Sequence, residues 1–231
     1  MITKIKQELH SQKNNSKAKI LAGFFKTGKG QYGEGDIFLG ITVPKTREIS
    51  KKYLDLNFRD IQKLLLGKIH EERLAALMIL VEKYKKSDES GKKSIIDFYL
   101  SNAKRINNWD LVDLSADKIL GNYLVDKDKS ILYKLAESDS LWEKRISIVA
   151  TLAFIKNNKF SDTVKISEIL LNDKHDLIHK AVGWMLREAG KRDEKVLCLF
   201  LGRHCRKMPR TMLRYAAERL DSKKRNFYMG R

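Results

Sequence analysis

Apolar side chains recur every three to four residues along almost the whole chain, and this spacing limits its fold more than any other feature. It places apolar groups on one side of an α helix, whereas the alternation typical of strands is scarce. Only two prolines occur, Pro44 and Pro209, so few segments are barred from a helix. The sequence therefore predicts an all-α protein.

The periodicity predicts a series of helices separated by short polar segments. Their expected bounds are about 15–26, 44–53, 57–66, 71–84, 92–103, 108–121, 128–138, 141–156, 162–171, 176–189, 193–202 and 210–220. The basic residues from about 222 to 231 are expected to form a flexible tail.

Basic or candidate functional residues recur at comparable positions of these helices, at nearly regular intervals along the chain. Arg73, Asp113, Arg145, Lys180 and Arg214 are separated by 40, 32, 35 and 34 residues. A period of this size is typical of α-solenoids, because one helix pair cannot bury its apolar face alone and neighbouring pairs must stack. We predict a single repeat domain over residues 1–231, curved, with a basic concave face.

The charge balance is the unusual part of the composition. The chain has 47 Lys and Arg against 29 Asp and Glu, a formal net charge of +18. This surplus favours a polyanionic partner, with nucleic acid before an anionic membrane surface. No apolar run is long enough to span a membrane. Cys198 and Cys205 provide no disulfide framework, which fits a reducing cytoplasm.

One predicted helix carries an indole and a carboxylate on the same side. Trp109 and Asp113 are four residues apart, with Trp109 in the apolar stripe and Asp113 at its edge. The π face of the ring and the charge of the carboxylate suit a flat, positively charged ligand. The alternative is that Trp109 belongs to the core and Asp113 is a charge at its rim.

Two later helices also place polar or aromatic groups at apolar faces. Arg145 lies near the middle of an apolar face, so its guanidinium needs a carboxylate, a backbone carbonyl or a phosphate as partner. Trp184 lies at the edge of another apolar face, with Lys180 and Arg187 beside it. There it could stack on a base or a sugar, or pack between adjacent repeats.

Two local patterns are set aside. Gly28-x-Gly30-x-x-Gly33 matches the dinucleotide fingerprint, but no strand precedes it, so a flexible loop that meets the DNA backbone is favoured. His175 and His179 are four residues apart but have no third ligand in the metalloprotease pattern, so we expect no metal.

The segments around these residues resemble the AlkD-type DNA alkylation repair glycosylases, which are built of HEAT-like repeats. The resemblance covers roughly residues 20–220 and rests on three motifs in the right order. They are Trp109-Asp-Leu-Val-Asp113, Leu141-Trp-Glu-Lys-Arg145 and His179-Lys-Ala-Val-Gly-Trp184-Met-Leu-Arg187-Glu188. The chain departs from the family pattern at Asn108, where a second aromatic residue is expected.

The resemblance implies a monofunctional glycosylase that hydrolyses the N-glycosidic bond of cationic N3- and N7-alkylated purines. Such a base is a good leaving group, and the sugar becomes an oxocarbenium-like cation that Asp113 can stabilise while it positions water. Trp109 would line the cleft and Arg145 would contact the DNA backbone near the lesion. We therefore predict Asp113, Trp109 and Arg145 as the catalytic residues.

Further residues are predicted to bind DNA around this cleft. They are Trp184, Arg187, Lys180 and Arg47. The expected partner is double-stranded DNA with alkylated bases, and no membrane, metal or small-molecule cofactor is expected. We expect a cytoplasmic monomer, associated with the nucleoid if the organism is a prokaryote.

Two other function classes remain open on the sequence alone. A non-catalytic HEAT-like protein for bent, branched or damaged duplex DNA would have the same charge, and would bind DNA without releasing a base. A protein-interaction solenoid would show no affinity for duplex DNA at low salt.

Overall fold

The computed structural model describes residues 1–230, and helices dominate them. The predicted all-α class is confirmed, since the described residues form no strand and only one isolated bridge, between Ile37 and Ile69. The α helices are α1 Ile2–Ser11, α2 Asn15–Phe24, α3 Val43–Ser50, α4 Phe58–Leu65, α5 His70–Lys86, α6 Glu89–Ser101, α7 Trp109–Asp113, α8 Asn122–Leu124, α9 Ser130–Ala136, α10 Leu141–Ala150, α11 Leu152–Lys156, α12 Ser161–Ile169, α13 Asp176–Arg192, α14 Glu194–His204, α15 Arg210–Ala216 and α16 Ser222–Met229. None of these helices is both long and apolar enough to cross a membrane.

The chain packs into two compact units, Met1–Ser115 and Ala116–Arg231. In the first unit, α5 is the central helix, and it packs against α3, α4, α6 and α7. It buries every residue from position 70 to position 81, which includes the charged residues Glu71, Glu72 and Arg73. A helix that is buried on all sides must supply partners for such charges from neighbouring segments.

Glu71 shows how one of these charges is satisfied. Its carboxylate accepts hydrogen bonds from the backbone amides of Leu39, Gly40 and Ile41, at 2.9, 2.8 and 3.2 Å. Gly40 has φ of +85°, and a Cβ there would lie 2.2 Å from the Asn14 carbonyl oxygen. The apolar segment before α3 is thereby fixed to the central helix.

The second unit contains stacked helix pairs. α10, α13 and α15 begin 35 and 34 residues apart, and α13 packs against both of the others. α9 packs on α10, and both α12 and α14 pack on α13. Gly183 permits the close approach of α15, because a Cβ at this position would lie 2.5 Å from the Met212 carbonyl oxygen. The spacing is the one that the sequence predicts for helical repeats.

Both ends of the chain differ from the prediction. α1 is an additional helix that lies outside the predicted bounds, and it buries Ile5 and Leu9. The predicted tail forms α16 instead: Asp221 caps it by accepting from the Lys224 amide, and the Tyr228 hydroxyl donates to the Cys198 carbonyl at 3.3 Å. Arg231, the last residue of the predicted tail, lies outside the described residues.

The prediction of one continuous helix over residues 108–121 is also wrong. α7 ends at Asp113, and the buried Ser115 hydroxyl donates to the Leu111 carbonyl at 2.6 Å. A π-helical segment follows at Asp117–Gly121. The apolar periodicity continues through this break, so it does not indicate where the helix ends.

Candidate active site

α7 is held at its start by a buried asparagine. Asn108 is fully buried, and its side-chain oxygen accepts a hydrogen bond from the Trp109 amide at 2.8 Å. Trp109 and Asp113 occupy the two ends of this single helical turn, and both side chains are half-buried. The predicted pairing of indole and carboxylate therefore lies on one short, anchored element. The departure of Asn108 from the family pattern has a local structural role as the helix cap.

The Trp109 indole belongs to an aromatic cluster. It stacks on Phe25 with ring centroids 5.0 Å apart and an interplanar angle of 8°, and Phe25 in turn stacks on Phe38 at 4.9 Å. Phe24 meets the indole edge-on at 5.8 Å and remains 61% exposed. In the sequence, Phe24 and Phe25 are only apolar positions of α2, and no local signal connects them to a tryptophan more than eighty residues later.

A buried network of charged groups lies next to this cluster, and sequence reasoning missed it. His70 bonds to Asp110 through Nε2 at 2.8 Å and to Asp36 through Nδ1 at 3.3 Å. Arg73 donates to the same Asp36 oxygen at 2.5 Å, and the Asn108 amide donates to it at 3.3 Å. The two neighbours of Trp109 in the sequence are therefore both tied to this network.

The protonation of the network follows from burial and contact. Burial alone would raise the pKa of Asp36, but the hydrogen bonds from His70 and Arg73 outweigh it and hold that pKa below its usual value of 3.8. Burial alone would lower the pKa of His70, but attraction to Asp110 and the hydrogen bonds to both carboxylates outweigh it, so that pKa is raised above 6.5. A protonated His70 can donate from both ring nitrogens, as two flanking carboxylates require.

The segment that carries Asp36 is a series of tight turns. Gly30 and Gly35 have φ of +75° and +85°, and a Cβ on Gly33 would lie 2.4 Å from the Phe25 carbonyl oxygen. The Gly30 amide donates to the Glu34 carboxylate at 2.7 Å. Internal hydrogen bonds thus hold the glycine-rich segment that the sequence predicts as a flexible loop. Contact between this segment and DNA stays a prediction.

Arg145 lies in the second unit and is buried, with 4% of its surface exposed. Its Nη1 donates to the Leu177 carbonyl oxygen at 2.5 Å. A backbone carbonyl is one of the three partners that the sequence allows for this guanidinium, so the expected need for a partner is confirmed. The bond joins α10 to the start of α13.

α13 carries three of the predicted DNA-binding residues. Trp184 is half-buried, Lys180 pairs with Asp176 at 2.6 Å, and Arg187 pairs with Glu218 and, at 3.5 Å, with Glu188. Both cations already have carboxylate partners, so a phosphate would have to share or replace them.

Arg47, the remaining predicted residue, lies apart from these groups, in the last turn of α3 in the first unit. It is half-exposed, and among residues 1–230 no ion pair is recorded for it. No group of three or more His, Cys, Asp or Glu in the described part of the chain is arranged to hold a metal ion.

Comparison with known proteins agrees with this architecture. The sequence profile of a family described as "DNA alkylation repair enzyme" matches residues 5–220. Among solved structures, the chain is similar to a "Predicted DNA alkylation repair enzyme from Enterococcus faecalis", with a TM-score of 0.69 and 16% identity over 91% of this chain and 98% of that one. This likeness confirms the fold class, an all-α solenoid of helical repeats. No curated protein matches the chain.

Proposed function

Since the chain belongs to the DNA alkylation repair enzyme family, we propose that it is a monofunctional DNA glycosylase for cationic N3- and N7-alkylated purines. One observation carries the proposal: α7 presents the Trp109 indole and the Asp113 carboxylate one helical turn apart, with the indole stacked on Phe25. A rigid aromatic surface beside a negative charge suits a transition state in which positive charge develops on a sugar.

The proposed reaction needs no cofactor. The bond between C1′ of the deoxyribose and the purine nitrogen breaks, and its electron pair neutralises the alkylated base, which leaves. The sugar carries the positive charge, which Asp113 stabilises through its carboxylate and Trp109 through its π face. Water adds to C1′ and loses a proton to Asp113 or to solvent, which leaves an abasic site.

The basic residues complete the proposal as DNA contacts. Arg187, Lys180 and Arg47 are assigned to the phosphate backbone, and Trp184 to the deoxyribose. Arg145 is buried against the Leu177 carbonyl, so it is assigned a supporting role between α10 and α13 in place of the expected phosphate contact. Because Lys180 and Arg187 already pair with carboxylates, their replacement should weaken DNA binding less than the replacement of Arg47 does. This ranking can be measured by titration of one duplex with each alanine variant.

The decisive experiment is single-turnover release of 7-methylguanine from duplex DNA. Wild type should release the base, and Asp113→Asn should release it at least a hundredfold more slowly, roughly the effect of removing one electrostatic stabiliser. Asp97→Asn is the matched control, because Asp97 is an exposed carboxylate that pairs with Lys93 on α6. Equal rates for wild type and Asp113→Asn would refute the assigned role of Asp113.

The same assay distinguishes the glycosylase from a second candidate function. The net charge of +18 also suits a protein that binds damaged duplex DNA without chemistry. Tight, salt-dependent binding of the alkylated duplex with no base release from wild type would identify that function and exclude the glycosylase.

A further inference from the structure

The helix α2 is unusual in the first unit because none of its residues is buried. Next to it is a cavity of ≈ 180 Å³ whose walls include Lys17, Ile20, Leu21 and Phe38. The helix therefore covers the unit without packing closely against it. A helix face at the mouth of a cavity that keeps adjacent large apolar side chains in water is a candidate interaction site.

Two such side chains lie on this face. Ile20 is 70% exposed and Phe24 is 61% exposed, and they are one helical turn apart. Lys17 precedes Ile20 by three residues and shares the same face. Lys17, Ile20 and Phe24 are called the α2 surface below.

The surroundings of the α2 surface are positively charged. Residues 9–33 contain no Asp or Glu. They contain five exposed lysines, Lys13, Lys17, Lys19, Lys26 and Lys29. Among the described residues, none of the five forms an ion pair, since the segment itself has no carboxylate to offer. A row of unpaired cations is complementary to a polyanion.

Phe24 lies beside Trp109, to which the proposed function assigns contact with DNA. Its ring lies 5.8 Å from the Trp109 indole, at an interplanar angle of 78°. A duplex whose lesion contacts Trp109 would therefore also reach the exposed ring of Phe24. Apolar side chains at such positions press between base steps and open the stack, while neighbouring lysines neutralise phosphates.

We propose that the α2 surface docks on duplex DNA beside the lesion, with Phe24 as an apolar wedge against the base stack and Lys17 on a phosphate. The inference rests on the proposed function, which supplies DNA as partner. It does not require base release, so binding to an uncleavable duplex tests it. The structure places no other aromatic ring with comparable exposure next to Trp109 within the described residues.

The test uses a duplex with a tetrahydrofuran abasic analogue at the lesion position and 2-aminopurine as its neighbour. Wild type should raise the 2-aminopurine fluorescence as the neighbouring base unstacks. Phe24→Ala should abolish the rise and weaken binding roughly tenfold, the scale of one lost base–aromatic contact. Leu199→Ala is the matched control, because Leu199 is 63% exposed on α14 in the second unit. If Phe24→Ala matched wild type in both fluorescence rise and affinity, the proposed role of Phe24 as a wedge would be refuted.

The lysine contact has its own readout. Lys17→Ala should reduce the slope of log affinity against log salt by about 0.9, the value for one phosphate contact. Lys93→Ala, which removes a cation already paired on α6, should leave the slope unchanged. An unchanged slope in Lys17→Ala would show that Lys17 does not contact a phosphate.

A membrane is the competing partner for a basic helix with apolar side chains. Sedimentation with phosphatidylserine vesicles distinguishes the two. Vesicle binding that Phe24→Ala abolishes, with duplex binding unaffected, would overturn the proposal. Loss of 2-aminopurine response in Phe24→Ala would support it even if wild type released no 7-methylguanine, and in that case only the glycosylase assignment would fail.

Discussion

Replacement of His70 by alanine tests the buried network behind Trp109. The imidazole is 2% exposed and bonds to Asp110 at 2.8 Å and to Asp36 at 3.3 Å. Its removal takes the hydrogen bond from one Asp110 oxygen, and among the described residues the other oxygen already has no partner. Removal of one partner from a buried ion pair costs about 3–5 kcal/mol. We expect a loss of that size in the free energy of unfolding of His70→Ala at pH 6.

The pH dependence of this loss has a definite sign. The pKa of His70 is raised above 6.5 in the folded protein, so folding favours its protonated form. The resulting stability is fully present below pH 6.5 and is lost as the pH rises through the raised pKa. The difference between wild type and His70→Ala should therefore shrink from pH 6.5 upward.

Urea denaturation at a series of pH values from 6 to 9 measures both effects. His204→Ala is the control, because His204 pairs with Glu168 at a partly exposed position and should contribute less than about 1 kcal/mol. The double variant His70→Ala/Asp110→Asn removes the stranded charge and should be more stable than His70→Ala alone. If the free energy of unfolding changed with pH in the same way for wild type and His70→Ala, the assignment of a charged His70 in the folded protein would be refuted.

Three further predictions concern backbone and buried contacts. Gly33→Ala should lower the free energy of unfolding by about 1–3 kcal/mol, because the new Cβ would meet the Phe25 carbonyl at 2.4 Å; Gly23→Ala has open space on α2 and should be neutral or stabilising in the same urea assay. Asn108→Ala should cost about 1 kcal/mol and shift the tryptophan fluorescence, since it removes the cap at Trp109; an unchanged spectrum would contradict this. Arg145→Met should cost about 1–3 kcal/mol because it removes the charge-assisted hydrogen bond that joins α10 to the start of α13, and an unaltered urea midpoint would exclude that role for the bond.

The repeat architecture could be predicted from the sequence because it depends on local periodicity. The apolar residues recur at helical spacing, and the interval between α10, α13 and α15 is visible in the chain itself. The same reasoning placed Arg145 on an apolar face and required a partner for it, which the Leu177 carbonyl supplies. It also placed Trp109 and Asp113 on one helical turn.

The surroundings of Trp109 could not be predicted in this way. Asp36, His70 and Asp110 are separated by 34 and 40 residues, and their contacts depend on how distant segments pack. A single sequence does not indicate which charged residues become buried. The break after Asp113 was equally hidden, because the apolar pattern continues through it with Ala116, Ile119 and Leu120.

The shared carboxylate oxygen of Asp36 has a consequence for how this protein can vary. It accepts hydrogen bonds from Arg73, His70 and Asn108, which belong to two other parts of the first unit. A substitution in the glycine-rich turns that shifts Asp36 therefore changes the support of the residue immediately before Trp109. Selection can therefore adjust the orientation of the indole through turn residues that lie more than seventy positions before it in the chain.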